Sequence, residues 1–222
     1  MASDWLEAAN QSLQEDGFLA LQDFEVGNRL EAFQSEGFPW RTLRGLESVE
    51  AVLFDPRIRD ILKAQHAKFI LGHRLRYSAK PGCHRRFWDG GPSAFFVVHE
   101  WAKGSTVECW VGSHQVAIQH DSEATGAPVF EYAKEKLEAT GCKSKTFHFP
   151  RGGLLIADAR VIWDMQAGYE IVNVFFTPEL LPGLAMELPD SPRLAEKLGN
   201  MMEKTGDLGI NFKISSDWKS ES

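Results

Sequence analysis

The sequence predicts a mainly β chain, an antiparallel two-sheet barrel with helical cover at its N-terminal end. Three observations predict it. Short runs of β-branched and aromatic residues, bounded by Gly and Pro turns, recur from Phe69 to Phe176. Helical patterns gather mostly before and after that region instead of alternating with the strands. The length, 222 residues, suits one all-β domain. The expected layout is a single domain over 1–222: helical cover and a first strand over 1–66, barrel strands over 67–178, and a C-terminal loop, helix and tail over 179–222.

Each element has its own signal. Ser3 or Asp4 caps a helix reaching Glu15, with Trp5, Leu6, Ala9 and Leu13 at helical spacing. Asp16-Gly17 stops it, and Phe18–Phe24 reads as a short strand. A short helix follows from Glu25 to Gln34, then helical turns over 46–53 and 56–67, the last with Asp55 as N-cap and Pro56 at the first helical position. Phe69–Leu71 and Leu75–Tyr77 are strand-like, and Pro81-Gly82 is a turn. Ala94–Trp101 and Thr106–Val111 form a hairpin candidate that ends at Gly112-Ser113-His114, where the His packs or bonds locally. Val129–Thr140 reads as an amphipathic helix, with Phe130, Ala133 and Leu137 on one face. Phe147–Phe149, Leu154–Ala157 and Ile171–Phe176 are buried strands separated by turns at 150–153 and 166–168. A Pro-rich segment, a helix over 192–204 and a polar tail expected to fray from Asp207 complete the chain.

Composition excludes several classes. The net charge of −7 leaves no basic face for nucleic acid. The densest basic patch, Arg74, Arg76, Lys80, Arg85 and Arg86, reads as a solvated rim. Three widely spaced cysteines, Cys83, Cys109 and Cys142, give neither a disulfide framework nor a CxxC zinc motif. The N-terminal stretch lacks an apolar core of signal-peptide length, and no run reaches the ~20 apolar residues of a membrane span. A cytoplasmic, reducing setting with no membrane partner is the expectation.

The order of motifs carries a resemblance. EDGFLALQDF, a helix opened by DPRIRDIL, a hairpin ending in WVGSH, and GGLLIADARVIW followed by VNVFF succeed one another over residues 10 to 178. This order resembles the phytanoyl-CoA-hydroxylase-like branch of the non-haem Fe(II)/2-oxoglutarate-dependent dioxygenases, and among them the fungal meroterpenoid type. The resemblance implies a double-stranded β-helix, the cupin-like jelly roll. It also implies iron held by His-x-Asp on an early strand and a His on a late one, with an Arg for the far carboxylate of 2-oxoglutarate.

Against that pattern the ligands are missing. None of the seven histidines is followed two residues later by Asp or Glu. After the Pro81-Gly82 turn stands His84-Arg85-Arg86, which puts Arg86, a permanent cation, where the carboxylate belongs. Trp163 stands where the late His is expected, and Glu170 stands near the expected co-substrate Arg. The vestigial ligand positions are therefore His84, Arg86 and Trp163, with no catalytic or metal-binding residue assigned to this chain. Trp163 has the volume to fill the space of metal and co-substrate. His99 and Glu100 are strand neighbours, so they point to opposite faces and share no metal. Asp89, Asp158 and Asp164 are the carboxylates that would rebuild a different site with His84.

The expected function is therefore a non-catalytic, oxygenase-like pseudoenzyme. It would form a heterodimer with an active homologue that carries the Fe(II) and 2-oxoglutarate, in secondary-metabolite (terpenoid) biosynthesis. This chain itself would hold no cofactor. Leu180, Leu181, Leu184 and Met186 are the candidate partner contacts, with packing onto the chain's own barrel as their alternative role. Two other readings stand beside it. One is a metal-independent isomerase or cyclase using Asp89, His84 or Asp164 as acid and base. The other is an active hydroxylase with atypical ligands.

Overall fold

In the computed structural model, residues 2–91, 95–123, 129–181, 183 and 185–216 are described. The chain opens with α1 (Ala2–Glu15), β1 (Phe18–Gln22), α2 (Phe24–Ser35), α3 (Leu43–Leu53) and α4 (Pro56–Gln65). The caps are written in the sequence. The Asp23 carboxylate accepts from the Glu25 and Val26 N–H groups, Thr42 Oγ1 from Gly45 N–H, and Asp55, with Pro56 behind it, from Arg57 N–H. The Arg57 guanidinium reaches both cap carboxylates at 2.6 Å and ties α2 to α4.

Strands follow: β2 (Phe69–Ser78), β3 (His84–Arg86), β4 (Phe95–Trp101), β5 (Ser105–Val111), β6 (Ser122–Glu123) and β7 (Phe130–Tyr132). After α5 (Lys134–Ala139) come β8 (Lys143–Phe149), β9 (Gly153–Asp158), β10 (Trp163–Ala167) and β11 (Tyr169–Phe176). The chain ends in β12 (Met186–Pro189), α6 (Pro192–Thr205), β13 (Leu208–Ile210) and β14 (Phe212–Ser215). One six-stranded sheet runs β1-β9-β4-β11-β2-β13 and the other β6-β7-β3-β10-β5-β8. Strands β2 to β5 and β8 to β11 cross between the sheets in the manner of a double-stranded β-helix, and the sheets face one another without closing into a barrel.

Three apolar clusters explain this layering. The central strands of the first sheet are apolar on both faces, because both are covered. Phe96, Val98, Leu154, Ile156, Ile171 and Phe175 point under the helices. Their neighbours Phe95, Val97, Leu155, Ala157, Val172 and Val174 point between the sheets. A smaller cluster of Trp110, Ile118, Tyr132, Leu137 and Ile162 lies on the outer face of the second sheet, beneath α5. Strand β8 forms one margin of that sheet and exposes Lys143, Ser144, Lys145 and Thr146.

Several expectations change. The helix expected over 129–140 is confined to Lys134–Ala139. Phe130–Tyr132 is instead a strand paired with β3, and the Asp121 carboxylate takes the Ala133 N–H at 2.6 Å. Phe69–Ser78 is one strand, not two, and β10 is a strand where none was expected. The polar tail does not fray from Asp207: β13 adds in parallel to β2, and β14 pairs in parallel with β12. Residues 217–222 lie outside the described set, as does Ala94 at the start of the expected hairpin. The basic patch is not a solvated rim throughout, since Arg74 and Arg86 are buried in ion pairs.

Candidate functional site

Strand alternation decides which side chains meet inside the jelly roll. Trp163 pairs with Arg85 on one side and Cys109 on the other, so these share the interior face. Two residues beyond Arg85, Phe87 also points inward and stacks on Trp163, ring centroids 5.0 Å apart and planes at 12°. From the facing sheet, His99 on β4 and Glu170 on β11 enter the same space. Trp163 Nε1 donates to Glu170 Oε1 at 3.1 Å, and His99 Nδ1 lies 2.5 Å from Glu170 Oε2. Glu170 is wholly buried and His99 nearly so. Trp101 lies parallel to the His99 ring at 5.5 Å. Tyr77 extends the cluster, its hydroxyl without a hydrogen-bond partner among the described residues, and burial pushes its pKa well above the usual tyrosine range. The interior is thus an aromatic stack closed around one His–Glu–Trp hydrogen-bonded set.

Of the expected vestigial positions, Trp163 and Glu170 meet in this interior. His84 and Arg86 do not join them. They flank Arg85 on β3 and point to the outer face of the second sheet. There His84 packs against Trp110, and Arg86 donates to Tyr132 Oη at 2.5 Å and to the Ile118 carbonyl at 3.1 Å. The interior residue at the end of that strand is Phe87, and Phe87-Trp88-Asp89 has the spacing of a His-x-Asp pair with Phe in the His position. Asp89 itself turns to Arg86 and to His120, 2.5 Å from its Nδ1. Arg85 is the cation on the interior face of β3, and it is engaged by Cys83 Sγ at 3.1 Å, Glu131 at 3.7 Å and the Tyr77 ring.

His99 and Glu100 do point to opposite faces. Glu100 lies under the helices, bonded to Arg29 at 2.6 Å, to Arg74 at 3.3 Å and to Asn173 Nδ2 at 3.0 Å. Gly112-Ser113-His114 has a structural part: Gly112 is left-handed at φ 73°, Ser113 Oγ accepts from Ile162 N–H, and the His114 ring faces the Gln14 carbonyl. Of the three carboxylates considered with His84, only Asp164 lies beside it, at 3.5 Å. Asp158 is held by Arg160. Sequence reasoning missed Phe87, which carries no polar signal, and Glu108, which the strand register places next to Asp164.

The expected partner contacts divide. Leu180 is exposed. Leu181 covers Gly72, where an added Cβ would lie 3.3 Å from its Cδ1. Met186 packs on the chain's own helix-side cluster, and Leu184 lies outside the described residues.

Among the described residues, no helix is long and apolar enough to cross a membrane. No family model and no curated protein sequence matches the chain. Solved structures do match its fold. The epimerase SnoN, in complex with Fe3+, alpha ketoglutarate and nogalamycin RO, aligns over 78% of this chain and 84% of its own with a TM-score of 0.53 at 12% identity. The non-heme alpha ketoglutarate dependent carbocyclase SnoK from nogalamycin biosynthesis aligns over 77% and 83%, TM-score 0.51, 13% identity. EctD from S. alaskensis with 2-oxoglutarate and 5-hydroxyectoine aligns over 81% and 77%, TM-score 0.51, 10% identity. The likeness is one of fold: the chain is a mainly β jelly roll of the kind found in 2-oxoglutarate-dependent non-haem iron enzymes.

Proposed function

We propose that this chain is a degenerate, phytanoyl-CoA-hydroxylase-like jelly roll that binds no catalytic iron and serves as the non-catalytic subunit of a heterodimer. Its partner is a homologous dioxygenase carrying Fe(II) and 2-oxoglutarate, in a secondary-metabolite pathway of the meroterpenoid type. One observation carries the reading, the Phe87–Trp163 stack closed by Glu170 and His99. An iron site needs lone-pair donors converging at bonding distance. The stack offers ring faces and an indole N–H that only donates, and the two ligand-type residues beside it, His99 and Glu170, are bonded to each other with no third donor among the described residues. A 2-oxoglutarate carboxylate placed here meets the Glu170 carboxylate, while Arg85 is already engaged by Cys83 and Glu131. The residues therefore do not fit that metal and co-substrate. On this reading the degenerate pair is Phe87 and Asp89, with Trp163 at the late position.

What the fold retains is a rigid scaffold, with exposed Leu180 as the remaining contact of the expected set. The role left for the chain is to stabilise the partner or shape its substrate pocket. The test is to produce the chain alone and with its nearest homologue that has intact ligands. One then measures complex mass, iron per complex, and the visible absorption that 2-oxoglutarate gives on binding iron. The expected result is no such absorption from the lone chain and a mixed dimer with one iron. An iron-dependent 2-oxoglutarate absorption from the lone chain, or a homologue fully soluble and active without it, overturns the reading.

A further inference from the structure

Three adjacent strands carry a second cluster on the face opposite the aromatic stack. On β3, β10 and β5, His84, Asp164 and Glu108 stand side by side: Asp164 is in register with Glu108, and Arg85 with Trp163, which brings His84 beside Asp164. One ligand atom from each of the three lies within 4.8 Å of the others. His84 and Asp164 are 3% and 1% exposed, yet both His84 ring nitrogens and Asp164 Oδ1 lack a hydrogen-bond partner among the described residues. A buried polar atom left without a partner costs free energy, so this pattern asks for a missing group. The other oxygen, Asp164 Oδ2, is fixed by Gly82 N–H at 2.7 Å and Gln166 Nε2 at 2.6 Å. Such outer bonds orient a metal-ligating carboxylate.

We infer that His84, Asp164 and Glu108 form a binding site for a divalent transition-metal ion of the Zn2+ class on the outer face of the second sheet. One imidazole with two carboxylates is a donor set for zinc or manganese rather than for calcium or magnesium, which take oxygen alone. Ligand atoms around one zinc stand about 3–4 Å apart, so Glu108, only half-buried, closes the remaining gap by a side-chain rotation. Burial pushes the His84 pKa below its ordinary value, which leaves the ring neutral and its lone pair free at pH 7. The ion would clamp three strands and the 82–84 turn. The competing occupant is the Lys134 ammonium, which lines the same pocket and pairs only distantly with Glu138, at 3.9 Å. The site is independent of the accessory-subunit reading, because the aromatic interior lies on the other side of the sheet.

The experiment is calorimetric titration of ZnCl2 into the chelator-stripped full chain, freed of any affinity tag, with a thermal melt and a Co2+ absorption spectrum alongside. The expected results are one Zn2+ per chain and a melting midpoint raised by about 5 °C at a hundredfold excess over Kd. A Co2+ visible band should appear, and affinity should fall at least tenfold in His84→Gln and in Glu108→Gln. Glu108→Gln alters a half-buried group, so it keeps the test decisive if His84→Gln fails to fold. Absence of binding overturns the site, as does undiminished binding in Glu108→Gln. Binding that appears only in Lys134→Ala also overturns it, since the ammonium then fills the position in the natural chain.

Discussion

Trp163 on β10 donates its indole N–H at 3.1 Å to Glu170 on β11 in the facing sheet, with both side chains sealed between the two sheets. The carboxylate is satisfied on both oxygens, by Trp163 and by His99, so neither it nor the indole calls for a solvent molecule or a ligand. The pair thereby fills the space between Phe87 and His99 with buried, mutually bonded side chains.

Trp163→Phe keeps much of the volume but leaves a buried carboxylate oxygen without its donor, and it should cost about 1–3 kcal/mol. Trp163→Ala also removes the stack on Phe87 and opens a cavity, for about 3–5 kcal/mol. Urea unfolding of the three proteins, read by far-ultraviolet circular dichroism, checks the order. Equal stability of Trp163→Ala and the natural chain would contradict the packed interior.

Arg74 should be among the costliest polar residues to remove. It is buried against Glu100, Asn173 and Ser48, and its guanidinium also lies over Trp40. Arg74→Met leaves a fully buried carboxylate short of a partner, with an expected loss of about 3–5 kcal/mol. Chemical denaturation measures it. Exposed Arg44→Met, whose partners Glu36 and Glu47 are solvated, should change stability by less than about 0.5 kcal/mol.

Gly152 is required where the β8–β9 turn meets α2. Its φ is +92°, and an added Cβ would lie 2.3 Å from Gly27 Cα. Gly152→Ala should destabilise by at least about 2 kcal/mol through left-handed strain and the clash of two backbones. Gly37→Ala, left-handed but with open space around it, isolates the strain component in the same assay.

Stability should fall on mild acidification. Burial lowers the pKa of His73, His84 and His114 from the ordinary 6.5. Between the folded and unfolded values the unfolded chain binds more protons, so stability rises with pH there. It is fully present above about 6.5 and is lost as pH drops through the folded values. Thermal melts in chelator between pH 5 and 8 should show a midpoint that is flat at the upper end and declining below. The decline should be shallower in His114→Gln. Asp158, the Gln14 carbonyl and Asp16 partly offset the burial of His114 while Arg160 adds to it, and His73 and His84 leave a residual slope in that variant.

The sequence made legible what depends on local pattern. The runs at Phe95–Trp101, Gly153–Asp158 and Tyr169–Phe176 are apolar on both faces, and they are the central strands of the helix-covered sheet. Trp163 and Glu170 were found by their spacing from the late motif. What stayed hidden depends on pairing. β10 reads WDMQA, an alternation of only five residues with no β-branched side chain, too short to mark a strand by itself, and β3 and β5 hold it on both sides. β13 exists because β2 offers an edge. The face on which His84 lies follows from a register that no local window contains, and His99 meets Glu170 across 71 residues of sequence.

The margin formed by β8 sets terms for any encounter. Two copies meeting there bring Lys143 and Lys145 of one against the same residues of the other, so open-ended growth by strand addition opposes itself. Salt shortens the reach of that repulsion to about 8 Å at physiological ionic strength. A neighbour presenting acidic side chains along its own margin meets attraction instead. The lysines thereby distinguish a foreign strand from a second copy of this chain before any apolar surface is touched.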